Sequence, residues 1–417
     1  MCVMTKLPMQ STRWIWIPSL MSPARSTTAT DRHLRSIKKE TLICILLWFA
    51  VGCERGKQSV ETIHIAECDA AAQLKLSDVV DSIKYTVLES TPGSLLGGID
   101  KLLYARGNLY VLDRRVTKAI FVFNKDGKFL LRIQRRGRGP GEYLEPDDIL
   151  VDPSNGRIVI LDRNQAKLIN FDHEGVYERE TSLPFHPHSF ARLTETRYAF
   201  YMDYVTFQSD GQNRAYNLVL TSDEGRILTT LFPFKAAENP LRIAPQTVFS
   251  VDSFGVVFFP PFLTTIFTIE PAGGQPRLSI DFGAKQLPGN YLMANKRMEE
   301  LLANLDQYAH TIHSYHETSQ TAFFSFPYEG RTMSAFYSKA SQRVCIGGSV
   351  INDIDMTPAG SPIAVVENEF VGVVEPNDLR GLLKYRNHGV HPKTISLAES
   401  VGELSNPILA SYRPKRF

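Results

Sequence analysis

Three groups of residues have types and spacing that suggest chemistry. The first is a set of arginines around a glycine-rich segment: Arg114, Arg115, Arg135, Arg136, Arg138 and Arg163, with Tyr143 close by. Guanidiniums present paired donors to a carboxylate, sulfate or phosphate, and backbone N–H groups of Gly137-Arg-Gly-Pro-Gly141 would add to them. Tyr143 would stack on a sugar ring or cap the core. The competing reading makes these arginines solvated loop charges and the glycines turn formers. Arg114 and Arg163 would then brace neighbouring elements through Asp113, Asp162 or Glu142.

The second group is His310, His313 and His316, followed by Glu317. Spacings of three and six place neither a helix face nor a strand face under all three imidazoles, so a metal site is not expected. His186-Pro-His188 is equally weak. The third group is the acids Asp113, Asp147, Asp148, Asp152 and Asp162. Asp113 and Asp162 recur at one position of an internal repeat, which favours a structural duty. Gly137–Gly141 lacks the spacing and the Lys-Ser/Thr of a phosphate loop. No Gly-x-Ser-x-Gly, His-Glu-x-x-His or Cys-x-x-Cys is present. No catalytic residue, metal ligand or cofactor is expected.

The elements that must position these groups are read from the repeat. Leu109–Asp113 recurs as Ile158–Asp162, and Phe121–Gly127 recurs as Ile169–Gly175. Further copies end at Gly225 and, more weakly, at Gly273, so the glycines step by 48, 50 and 48 residues. Short apolar runs separated by turn signals such as Lys-Asp-Gly and Asp-Glu-Gly read as antiparallel strands. Four strands per 40–50 residues is the period of a β-propeller blade. In blade one the spacing predicts strands near 99–105, 109–113, 119–124 and 128–134. Blades follow at 148–182, 188–232 and 243–282. Residues 323–326 with 335–338 suggest a fifth blade, and 363–366 with 407–413 a sixth. The alternating segment 83–88 would complete the last blade and close the ring. The expected fold is all-β, a six-bladed propeller over 81–417. Residues 291–309 would form an amphipathic helical insertion, and 378–385 a second short helix.

Of the 417 residues, 43% are hydrophobic and 22% charged, a globular composition. The formal charge of +2 gives no basic excess for a nucleic-acid partner. Residues 42–51 are an unbroken apolar run preceded by Arg32, Arg35, Lys38 and Lys39 and ending at Gly52-Cys53. Ten apolar residues are too few to span a bilayer, which needs about 20. A basic region, a short apolar run and a small-residue exit describe a signal peptide over 1–52. The first 40 residues are long for its charged region, so the true start is expected downstream. The Gly-Cys exit resembles the lipobox of bacterial lipoproteins and implies lipidation of Cys53, with 53–80 as a tether. Removal of 1–52 would leave 39 basic and 42 acidic residues, a mildly acidic protein. Cys68 and Cys345 would then be the remaining thiols, paired in an oxidising compartment or singly buried.

Residues 76–92 (LSDVVDSIKYTVLESTP), Gly137-Arg-Gly-Pro-Gly-Glu-Tyr143 and Asn406-Pro-Ile-Leu-Ala-Ser-Tyr412 carry a family resemblance. The chain resembles the six-bladed, NHL-like β-propeller lipoproteins of Bacteroidetes over about 75–417. The resemblance implies the propeller fold and a cell-envelope address, periplasmic or at the outer-membrane surface. The function read from all this is an envelope binding module for a glycan, a small anionic molecule or an envelope protein. Alternatives are a Ca- or Zn-assisted propeller hydrolase or lyase, and a purely structural scaffold showing a large exposed apolar patch.

Overall fold

The structure, a computed structural model, describes residues 60–65, 72–235, 247–252, 255–289, 291–292, 298–387 and 389–417. The leader, Cys53 and Cys68 lie outside the described residues. Six four-stranded antiparallel sheets form a β-propeller. Strands are lettered A to D within each blade, from the axis outward. Blade one comprises Lys101–Ala105, Asn108–Asp113, Ala119–Asn124 and Phe129–Ile133. Blade two comprises Asp148–Val151, Ile158–Asp162, Lys167–Phe171 and Tyr177–Ser182. Blade three is Ser189–Thr194, Arg197–Tyr201, Tyr216–Ser222 and Ile227–Pro233, with a small hairpin (Phe207–Ser209, Gln212–Arg214) inserted between B and C. Blade four runs Phe249–Asp252, Gly255–Phe258, Thr265–Glu270 and Gly273–Asp281, and blade five Ser314–Glu317, Thr321–Tyr328, Arg331–Ser338 and Val344–Gly347.

Blade six joins the two ends of the fold. Ala364–Val366, Glu369–Val374 and Ile408–Pro414 supply A to C, and Val80–Val87 supplies D, pairing antiparallel with Ile408–Pro414. A ring closed this way leaves no inter-blade gap to open.

The repeated glycines have a packing reason. Gly127, Gly175 and Gly225 sit at φ +83°, +80° and +83° in C–D turns. Each turn presses on strand D of the preceding blade. A Cβ on Gly127 would lie 2.3 Å from the Val87 carbonyl oxygen, and one on Gly225 2.5 Å from that of Ser182. Gly273 has open space around it, and its copy of the repeat is also the weakest.

Two segments differ from the expected tether. Glu61–His64 adds a parallel fifth strand outside blade four, with Ile63 and Ile65 buried. Gln73–Lys75 pairs with Ser349–Ile351, and Leu74, Leu76 and Val79 enter the core between blades five and six. These short apolar runs cover outer strand edges, so the described part of 60–80 belongs to the folded body. The expected insertion contains a shorter helix, Met298–Leu305, with Leu301 and Leu305 buried. The second helix is observed as Pro376–Gly381 continued by a 3-10 turn, Leu382–Tyr385. A further helix, Pro392–Ser400, was not foreseen. Among the described residues no helix is long and apolar enough to cross a membrane.

Candidate functional site

Strands alternate in direction, so every A–B and C–D turn emerges on one face and every B–C and D–A connection on the other. The turn face carries connections of two to six residues. The long connections, 88–100, 134–147, 202–215, 282–313, 348–362 and 375–407, all lie on the loop face. That face also holds the arginine set.

Its scaffold is a repeated pair of carboxylates. In blade one, buried Asp113 accepts from the Val116 N–H (3.1 Å), the Gly97 N–H (2.6 Å) and the Thr117 hydroxyl (2.8 Å). In blade two, buried Asp162 accepts from the Leu144 N–H (2.6 Å), the Gln165 N–H (2.9 Å) and the Gln165 side-chain amide (2.7 Å). Asp100 and Asp147 take the N–H groups of Arg114 and Arg163, both at 2.8 Å. The recurring acids therefore shape the B–C loops, the structural duty their periodicity suggested. Burial raises Asp147 to about 6, with the nearby Asp162 carboxylate acting in the same direction against the Arg163 N–H and the Arg114 and Arg163 guanidiniums.

The arginines divide. Arg115 pairs through Nε with Asp100 at 2.7 Å. Arg114 and Arg163 are half-buried beside Asp147. Arg135, Arg136 and Arg138 are exposed, and none has a carboxylate within 4 Å among the described residues. Neither Arg114 nor Arg163 forms the expected ion pair with Asp113, Asp162 or Glu142; their backbone N–H groups are instead held by Asp100 and Asp147.

The glycine-rich loop has mostly filled its own anion nest. The Glu142 carboxylate accepts from the Gly139 N–H at 2.8 Å, and a Cβ on Gly137 would lie 1.9 Å from it. The Gly141 N–H goes to Glu180 (2.7 Å) and that of Gly137 to the Tyr143 carbonyl (3.0 Å). Only guanidiniums, not these backbone donors, remain for a ligand. Tyr143 is 0% exposed, and its hydroxyl donates to the Lys118 and Ile133 carbonyls at 2.9 and 3.0 Å. It is a core residue that pins the D–A loop, not a stacking platform, because its ring fills the space between blades one and two.

His316 parts from His310 and His313, of which His313 still acts electrostatically on His310. His310 is buried, its ring stacked on Phe262 at 5.9 Å, and burial lowers its pKa to about 4. His313 is also lowered by burial. His316 lies on strand A of blade five and lines the central channel. Among the described residues no three His, Cys, Asp or Glu side chains are grouped to hold a metal ion. Cys345, on strand D of blade five, is in no disulfide among the described residues.

The channel is the feature that motif reading missed. Strands A of all six blades line a cavity of about 450 Å³. Lys101 donates to Asp148 at 2.7 Å near its loop-face end, and Asp148 accepts the Phe190 N–H at 3.0 Å. At the turn-face end Arg192 pairs with Asp152. Buried Glu317 is held by Arg277 (2.6 Å), the Tyr315 hydroxyl (2.7 Å) and Lys339, so its pKa falls despite its burial. The usable signal is positional: Lys101, Asp148, Asp152, Arg192 and Glu317 each lie on or beside an innermost strand of the repeat.

Residues 60–413 match the domain of unknown function DUF4934, and the chain belongs to that family. No curated protein matches the sequence. Among solved structures, it is similar to a Bacteroides fragilis protein whose name describes it as exported. The TM-score is 0.72 at 20% identity, over 85% of this chain and 100% of that one. It is also similar to a DUF4221 family member from Bacteroides vulgatus, with a TM-score of 0.50 at 10% identity, over 81% and 98% of the two chains. At these identities the likeness speaks for the propeller fold.

Proposed function

We propose that this propeller is an exported, lipid-anchored binding module whose loop face over blades one and two engages an anionic group. That group would belong to an acidic glycan, a small carboxylate, sulfate or phosphate, or an acidic patch of an envelope protein. The observation that carries the reading is the exposed, carboxylate-free trio Arg135, Arg136 and Arg138 on a loop made rigid by Glu142 and Tyr143. A backbone already held in place spares the cost of ordering the loop on binding, and each planar guanidinium presents paired donors to an anion. Cys53 as lipidation site and 1–52 as signal peptide complete the reading, with support from the sequence pattern and from the name of the B. fragilis neighbour.

The test is a thermal-shift panel of acidic and neutral oligosaccharides, sulfate and phosphate. A ligand at 100 times its Kd should stabilise the fold by about 2.7 kcal/mol. Stabilisation by anions, lost in Arg135→Ala/Arg138→Ala with unchanged ligand-free Tm, is expected. Stabilisation that persists in that variant overturns the site. For the anchor, Cys53→Ala should move the protein from the membrane fraction to the soluble fraction.

A further inference from the structure

The central channel offers a second, chemically different site. It does not rest on the arginine face and opens away from it. Among the described residues, its lining takes in A–B turns but no residue of the loop-face connections 88–100, 134–147, 202–215, 282–313, 348–362 and 375–407. At the turn-face end Val251 is 69% exposed, and Pro153, Ser154, Thr194 and Glu195 are exposed as well. The cavity is therefore reached from the face of tight turns.

Its wall is largely apolar, with the inner charges paired and two acids at the rim. Leu102, Leu150, Phe190, Phe249, Val251 and Ile363 supply hydrocarbon wall. The charges beside them are spent on one another: Lys101 on Asp148, Arg192 on Asp152, and Arg277 and Lys339 on Glu317. Glu367, at the turn-face rim, accepts from the Tyr104 hydroxyl at 2.6 Å. Glu195, also at that rim, has no cationic partner among the described residues, so an anionic ligand would lose its hydration without gaining an unpaired counter-charge.

One polar side chain is left over. His316 is 7% exposed, lines the cavity, and has no hydrogen-bond or ion-pair partner among the described residues. Its sequence neighbours Tyr315 and Glu317 bond to each other. Alternation along the strand sends His316 to the opposite side. Burial lowers it to about 4, so near neutrality the imidazole is uncharged and offers one N–H and one lone pair. A buried polar group normally has a partner, and an unpaired imidazole on a cavity wall suits a ligand that supplies one.

We propose that the channel binds an uncharged, partly apolar small molecule admitted from the turn face, with His316 as its hydrogen-bonding residue. N-phenyl-1-naphthylamine is the test probe, an uncharged amine whose emission rises in apolar surroundings. Its partner probe is 8-anilinonaphthalene-1-sulfonate, which adds a sulfonate to the same rings. The amine should bind saturably at one site, and more tightly than the sulfonate. Val251→Trp fills the mouth from an exposed position, so Tm should hold while binding weakens at least about tenfold. His316→Leu should weaken the amine by about tenfold, the worth of one hydrogen bond. Absence of saturable amine binding overturns the proposal. So does amine binding unchanged by Val251→Trp, or a Val251→Trp-sensitive site that prefers the sulfonate. Because the two sites open on opposite faces, failure here and failure of the anion response in the arginine variant are read separately.

Discussion

Single side chains carry much of the geometry. Gly225 is the clearest case, because a Cβ there meets the Ser182 carbonyl and φ is +83°. Gly225→Ala should cost about 2–4 kcal/mol in urea unfolding. Gly98→Ala, with open space at its Cβ, should stay within about 0.5 kcal/mol. Asp162→Ala strands the Leu144 and Gln165 N–H groups and should cost about 2–4 kcal/mol. The buried histidines predict acid sensitivity. His310 and His316 are depressed from 6.5 to about 4, so the unfolded chain binds more protons between those values. Their contribution is complete above pH 6.5 and is lost as pH falls toward 4. Asp147, raised to about 6, acts oppositely: its contribution is present below the ordinary carboxylate range and is lost as pH rises through 6. His313 and the paired Glu317 carboxylate act in the same direction as His310 and His316, against Asp147 and Glu375, so Tm should fall from pH 6.5 to 4. His310→Phe should flatten that slope if its ring can keep the stack on Phe262.

At the scale of elements, edges matter most. Strand Glu61–His64 covers the outer edge of blade four and adds Ile63 to the buried core that holds Val257 and Ile280. Ile63→Ala should cost about 2–4 kcal/mol by leaving a cavity. The loops of blades one and two were legible in part. The repeat of Asp113 at Asp162 pointed to structural carboxylates, and the hydrogen bonds bear that out. The backbone donors of Gly137–Gly141 looked available to a ligand, yet Glu142, two residues from Pro140, folds back and takes one of them. Nothing in a linear segment distinguishes a carboxylate that turns inward from one in solvent. Tyr143 was equally ambiguous, since its burial depends on strands contributed by both flanking blades.

For the whole molecule, closure decides stability. Blade six takes strand D from Val80–Val87 and strand C from Ile408–Pro414, more than 300 residues apart in the chain. Truncation after Asn406 should remove strand C, leave strand D unpaired and open the ring. The expected result is loss of the cooperative unfolding transition and rapid digestion in limited proteolysis, while a chain ending at Pro414 stays resistant.

The sequence by itself determined the blade period, the order of strands, the turn glycines and the closing segment. Those follow from local chemistry: alternation, turn residues and a 48–50-residue repeat are written along the chain. It also placed the arginines on one face, because strand alternation fixes which connections share a side. Only the tertiary structure decided that Tyr143 is core, that Glu142 fills the loop, and that His316 stands apart from His310 and His313. It alone showed a channel walled by residues from six blades. Those outcomes depend on which side chains meet across blades some 50 residues apart, and no local pattern encodes that meeting.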